Sequence, residues 1–254
     1  MARIILKAAN SVLNLLVILA LCTAGLYAGY ALWDNNQVYA AAENVQDSMI
    51  KLKPVITEED EGASFEELLA VNPDVCAWVS VDNTNIDFPI LQGETNLTYI
   101  NRDVYGNFAL AGSIFLDSRN DKEFHDLVSL LYGHHMEGSD MFGDLDKFKK
   151  KAFFDENKTG LLILPDRAYD LEIFACMLVD ASEDVVFDPH EYEADINKLL
   201  DLTEQEAMHY DADKLSELRK TSGERQLLLL STCSSEFTDA RTIVLTEMKP
   251  HSSR

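Results

Sequence analysis

Three residue types that together can activate a thiol stand at the ends of apolar runs in this chain. Cys233 closes the run LLLLST, Arg241 opens the next run eight positions on, and His134 and His135 close an earlier one, LVSLLYGHH. A cysteine becomes a strong nucleophile when a nearby cation or base favours its thiolate. Histidine is the usual base. An arginine, charged at any working pH, can stabilise the anion formed when the thiolate adds to a carbonyl. The other histidines, His125, His190, His209 and His251, lie in polar or terminal surroundings. Neighbours along a strand point to opposite faces, so at most one of His134 and His135 meets Cys233. Gly133 permits a bend just before them. If the strands on either side of residues 234–240 pair as a hairpin, Cys233 and Arg241 meet at its mouth. Residue type and spacing alone leave plainer readings open. Cys233 could be a small buried residue, Arg241 a solvated one, and the histidines a surface pair or half of a metal site with no obvious third ligand.

Strands must position these groups. VCAWVSV, IDFPILQ, GSIFLD, LVSLLY, GLLILPD, AYDLEIFACMLVD, RQLLLLST and RTIVLTEM are short runs with strand character, bounded by turn residues. Helical patterns interrupt them at about 141–148 and 191–218. Many strands and few helices predict a mostly antiparallel sheet or barrel. Ser64-Phe65-Glu66-Glu67 has the form of a capping box opening a short helix. NKTG, Asn157–Gly160, lies mid-chain before an apolar run and reads as a turn entering a strand.

The chain has 254 residues, 47% of them hydrophobic, enough for one domain with a substantial core plus extensions. Its net charge of −23 repels phosphates and excludes nucleic acid as a ready partner. Four cysteines without a C-x-x-C pair make neither a zinc ribbon nor a disulfide scaffold. The uncharged run Ala8–Trp33, as a helix of about 1.5 Å per residue, exceeds the roughly 30 Å hydrocarbon core of a bilayer. Arg3 and Lys7 precede it and acidic residues follow, which predicts an uncleaved signal anchor in the cell membrane, N-terminus in the cytoplasm and the rest outside. The expected organisation is a tip and anchor at 1–34, an amphipathic helix and charged linker at 35–63, one domain at 64–249 and a short tail at 250–254.

Two motifs then carry a resemblance. Leu230-Ser231-Thr232-Cys233, followed by Arg241, resembles the sortase signature Leu-x-Thr-Cys then Arg. Tyr132-Gly133-His134-His135-Met136 resembles the Tyr-Gly-His-Asn-Met motif of class B sortases, with His135 in place of the asparagine. AWVSVDNTNIDFPILQG and NLTYINRDVYGNFALAGSIFLD are similar to the first half of the sortase barrel. The resemblance implies an eight-stranded β-barrel with N-terminal helices and a helical insert before the cysteine strand, the insert resembling the long helix of class B members. It implies a cysteine transpeptidase with Cys233 as nucleophile, His134 as proton donor to the leaving amine and Arg241 supporting the oxyanion or the substrate. Asn96, Ile100 and Ser231 would line the substrate groove, and Asp239 would either orient Arg241 or serve the turn. Neither cofactor nor metal is implied. The implied partners are secreted proteins carrying a C-terminal sorting motif, cleaved between Thr and Gly or Asn, and an amine of peptidoglycan or its lipid-linked precursor. A cysteine peptidase that only hydrolyses and a non-catalytic wall-binding module are the alternatives.

Overall fold

The computed structural model describes residues 2–56, 65–136, 140–189, 191, 195–221, 223–233 and 239–252, apart from the side chains of Ala2 and Cys233. Ser64 of the expected capping box, His190, and residues 234–238 between Cys233 and Arg241 lie outside these.

The cysteine strand illustrates why the barrel forms. Strand β8, Gln226–Cys233, carries four consecutive leucines, Leu227 to Leu230, none with any solvent exposure. Alternation sends Leu227 and Leu229 to one face. There they join a cluster with Val128, Leu130, Ile243 and Leu245 of neighbouring strands and with Val186, Leu199, Leu200, Leu215 and Leu218 of the insert. Leu228 and Leu230 fill the opposite, inward face. A strand buried on both sides reads as a continuous apolar run, which is how LLLL appears.

The strands run β1 (Val75–Val81), β2 (Asp87–Leu91), β3 (Ile114–Leu116), β4 (Val128–Tyr132), β5 (Thr159–Ile163), β6 (Ala168–Asp180), β7 (Ala207–Tyr210), β8 and β9 (Ala240–Pro250). Eight of them close a barrel in the order β5-β1-β2-β3-β4-β8-β9-β6, with β6 pairing back to β5. Closure leaves these eight without the unpaired edge that invites aggregation. The pairs β2–β3 and β4–β8 are parallel and the other barrel pairs antiparallel. The strand after NKT begins at Thr159, and Gly160 is paired on both sides, with β1 and β6. The Thr159–Gly160 bond is therefore interior to the sheet and closed to a protease.

Helix α1 spans Ala2–Ile50. In the compact unit Met1–Ala41 its apolar side chains are exposed, from Ile4 to Trp33, and it is long and apolar enough to cross a membrane. A helix apolar on all sides needs a membrane or a protein core around it. Residues from Ala42 onward form the second unit, where Val45 and Met49 pack with Phe65, Leu68, Val75 and Trp78. Helix α2, Glu66–Val71, contributes Leu68 to that cluster. A 3-10 helix, Gly143–Lys149, and α3, Lys151–Glu156, follow β4.

The insert before β8 differs from one long helix. It comprises α4 (Asp184–Phe187), α5 (Asn197–Glu206) and α6 (Ala212–Lys220), with β7 between the last two. Ala207–Tyr210 pairs with Ala175–Met177 of β6, and Asp211 then caps α6 by accepting a bond from the Lys214 amide at 3.0 Å. A non-local strand pairing thus divides what local pattern presents as continuous helix. Lys214, nearly buried, fastens α6 to the barrel through Glu247 at 2.7 Å and Glu172 at 2.5 Å.

Candidate active site

The parallel pairing of β4 and β8 brings the two motifs together. Tyr132 lies opposite Ser231, and the Gly133 amide extends the ladder to the Ser231 carbonyl at 3.1 Å. The antiparallel pairing of β8 and β9 places Cys233 opposite Arg241 and Ser231 opposite Ile243. Position 233, Arg241 and the histidine segment therefore converge at one end of three adjacent strands. A cleft of about 270 Å³ opens there, lined by Asn96, Leu97, Ile100, Phe115, Tyr132, Gly133, His134, Ser231, Thr232 and Arg241. All the expected groove residues, Asn96, Ile100 and Ser231, share it with His134 and Arg241.

Both histidines lie beyond the end of β4 at Tyr132, not within it. Gly133 is required for close approach rather than for a bend. A Cβ there would sit 2.5 Å from Ile114 Cδ1 and 2.7 Å from the Phe142 ring. The two rings then turn to different partners. His134 Nε2 lies 2.7 Å from the Ile100 carbonyl. A carbonyl oxygen can only accept, so Nε2 carries a hydrogen, which leaves Nδ1 as the ring nitrogen that can take up or release a proton. His135 Nε2 instead meets Asp146 Oδ2 at 3.1 Å. The other described histidines are engaged elsewhere: His125 with Asp121, His209 with the Lys149 carbonyl and His251 with Asp170.

Arg241 is half-buried and donates from Nη1 to the Ala240 carbonyl at 3.0 Å. Asp239 has φ 62°, a left-handed position, and its carbonyl accepts from the Ala181 amide, so its backbone serves the turn. Ser231 and Thr232 are 1% and 2% exposed, yet neither hydroxyl has a partner among the described residues. Ser231 lies on the same face of its strand as position 233, and its unpartnered hydroxyl is available to a bound peptide there.

Beneath the cleft lies a group that residue pattern did not reveal. Asp117 has no solvent exposure and accepts from Asn96 Nδ2 at 2.9 Å, Tyr132 Oη at 3.0 Å, and Arg119 Nε and Nη2 at 2.9 and 2.7 Å. Burial pushes its carboxyl upward, but the bonds from Arg119 and Asn96 outweigh this and hold it below the ordinary aspartate value. Arg119 also donates to the Phe187 carbonyl at 2.6 Å, and Tyr132 stacks between Phe115 and Phe187. The carboxylate thus ties two cleft residues to the insert. The one trace in the sequence is the charged pair two residues apart in FLDSR. Asp117→Ala strands these donors and should cost about 2–4 kcal/mol of stability, measured by chemical denaturation. The Asp117 contribution is present above the unfolded carboxyl value near 4 and fades as pH falls below it.

A closed barrel of this strand order, with such a convergence at one end, has known counterparts. The sortase-domain family model matches residues 79–249, and the chain belongs to the sortase family. Its relatives are of class B. A class B sortase of Streptococcus pyogenes involved in pilus biogenesis is 40% identical, covering 73% of this chain and 98% of that one, with a TM-score of 0.66. Sortase B of Listeria monocytogenes is 29% identical over 88% of this chain and 89% of its own length. Sortase B of Staphylococcus aureus is 28% identical over 72% of each. The chain is a sortase-type cysteine transpeptidase.

Proposed function

We propose that this transpeptidase joins secreted proteins to an amine of the cell wall, using Cys233, His134 and Arg241. The observation that carries this is the single cleft holding His134 and Arg241 at the end of the ladder that bears position 233. As the Cys233 sulfur attacks the carbonyl of the threonine that precedes Gly or Asn in a C-terminal sorting motif, the thiol proton passes to the His134 ring, which becomes an imidazolium. As the tetrahedral adduct collapses, the C–N bond breaks and a proton from the His134 imidazolium goes to the leaving amine. The Arg241 guanidinium stabilises the oxyanion or holds the peptide. The resulting thioester is attacked by an amine of peptidoglycan or its lipid-linked precursor. An amide forms as the C–S bond breaks, and the proton lost by the amine passes through His134 to the departing sulfur.

Asn96, Ile100 and Ser231 contact the motif peptide in this reading. The largely apolar lining favours an extended peptide and keeps water from the thioester. Residues 8–33 anchor the protein with its N-terminus in the cytoplasm, residues 35–63 lead outward and 64–249 carry catalysis. That arrangement sets the site among exported substrates and wall acceptors.

The test is a motif-peptide library offered with and without amine acceptors, with products identified by mass spectrometry. Amide products are expected. Hydrolysis alone under every acceptor would favour a peptidase. Because the Streptococcus pyogenes relative is involved in pilus biogenesis, an amine on a second secreted protein is the alternative acceptor. Wall-stem and lysine-bearing peptides supplied in competition separate the two. Arg241→Ala should lower kcat on the order of 10²- to 10³-fold, the usual cost of losing an oxyanion donor. Arg241→Lys should restore only part of it, since an ammonium lacks the planar fork.

A further inference from the structure

His134 and Arg241 are each followed in the chain by a residue whose side chain points away from the cleft, and both followers bind the same carboxylate. His135 Nε2 lies 3.1 Å from Asp146 Oδ2, and Thr242 Oγ1 lies 3.1 Å from Asp146 Oδ1. Lys149 Nζ, 2.8 Å from Asp146 Oδ1, balances the charge. Thr242 is fully buried and pairs with Thr232 on the ladder, while Asp146 and His135 are half-buried.

From this geometry we infer that Asp146 is a positioning residue that sets the separation of His134 and Arg241 from behind the sheet, and that His135 is its partner. The inference rests on the reading of His134 and Arg241 as catalytic groups. Asp146 is well placed to act as a fixed point. It belongs to the 3-10 helix, whose Leu145 and Phe148 are completely buried. That helix is also locked to the histidine segment by backbone. The Phe142 amide donates to the His134 carbonyl at 3.1 Å, His135 and Met141 form a bridge, and a Cβ on Gly143 would lie 2.3 Å from the Met136 carbonyl. The backbone contacts fix where the histidine segment sits. The carboxylate adds the link that they lack, from that segment to β9 one residue beyond Arg241. Neighbours on β9 face oppositely, so holding Thr242 on the reverse face fixes how far Arg241 projects on the front, and holding the His135 ring does the same for His134, whose ring turns the other way. Transfer through a tetrahedral adduct is sensitive to such placement, and an error of about 1 Å can cost about 100-fold. His135 aims a ring N–H at Asp146, a donor that the side-chain amide of an asparagine at this position could also supply.

The test uses the full chain in detergent micelles. Asp146→Ala is expected to lower kcat for motif-peptide transfer about tenfold or more, with KM changed less than about twofold. His135→Ala and Thr242→Val should each give part of that loss. His135→Asn, which can still donate to Asp146, should recover most of the rate lost in His135→Ala. A folded Asp146→Ala enzyme with unchanged kcat, or one in which only KM rises, overturns the inference. So does His135→Asn performing no better than His135→Ala. A second readout needs neither turnover nor the catalytic reading. Selective ¹⁵N-histidine NMR follows exchange of the His134 Nε2–H with water, which should accelerate in Asp146→Asn, a variant that keeps the shape. Unchanged exchange there counts against positioning. Absence of motif-peptide turnover in the unmodified protein would instead count against the functional reading.

Discussion

Cys233→Ala is expected to remove thioester formation and transpeptidation together, lowering transfer on the order of 10⁴-fold or more. Losses of that size follow when the nucleophile of a catalytic group acting as a unit is deleted, because the remaining members have nothing to activate. No other described cysteine can substitute. Burial pushes the thiols of Cys76 and Cys176 up to about 12, so both stay protonated and unreactive at neutral pH. Cys22 lies in the apolar stretch of α1, before the domain begins. The same contrast gives a direct check. In a Cys22→Ser background a methanethiosulfonate reagent should modify one site in the folded protein, lost in Cys233→Ala, with Cys76 and Cys176 reacting only after denaturation. A Cys233→Ala enzyme that still joined motif peptide to an amine would sink the assignment.

His134→Ala is the second large effect. Removing a positioned proton donor costs on the order of 10²- to 10⁴-fold, and here the loss should fall on kcat, since the leaving amine must be protonated as the C–N bond breaks. His134→Gln discriminates further. It can retain a donor toward the Ile100 carbonyl, the contact made by Nε2, but cannot shuttle a proton. It should therefore be nearly as slow as alanine while binding motif peptide normally. His135→Ala should be far less damaged than His134→Ala. Equal losses at both positions, or a greater one at His135, would reverse the assignment that the opposite orientation of the two rings supports.

The barrel was legible because its strands carry their own punctuation. AYDLEIFACMLVD became β6 residue for residue, and the run RQLLLLST was readable as the strand that became β8. The N-terminal apolar helix was legible for a related reason: a long uncharged run has few soluble uses. What escaped was non-local. Ala207–Tyr210 is a strand only because β6 offers an edge beside Ala175–Met177, so the insert looked like a single helix. Gly133 was read as a bend, whereas its need for a bare Cα comes from Ile114 and Phe142, both remote or unpaired with it in local pattern. Asp117 escaped most completely. Its partners Asn96 and Tyr132 lie 21 and 15 positions away, on different elements, and an aspartate after a short strand looks like any turn residue. Asn96, Ile100 and Ser231 were nameable through the stretches that carry the resemblance; Asp117 closes the same stretch as Asn96 and Ile100, but neither its type nor its spacing announces its partners.

Intact-protein mass spectrometry of the full chain with a Thr-Gly or Thr-Asn motif peptide tests the central claim most directly. The protein should gain the mass of the peptide up to its threonine, on Cys233. Adding a wall-stem amine should discharge that adduct and yield the corresponding amide. Amide product without an adduct on Cys233, or an adduct that persists in Cys233→Ala, would contradict it.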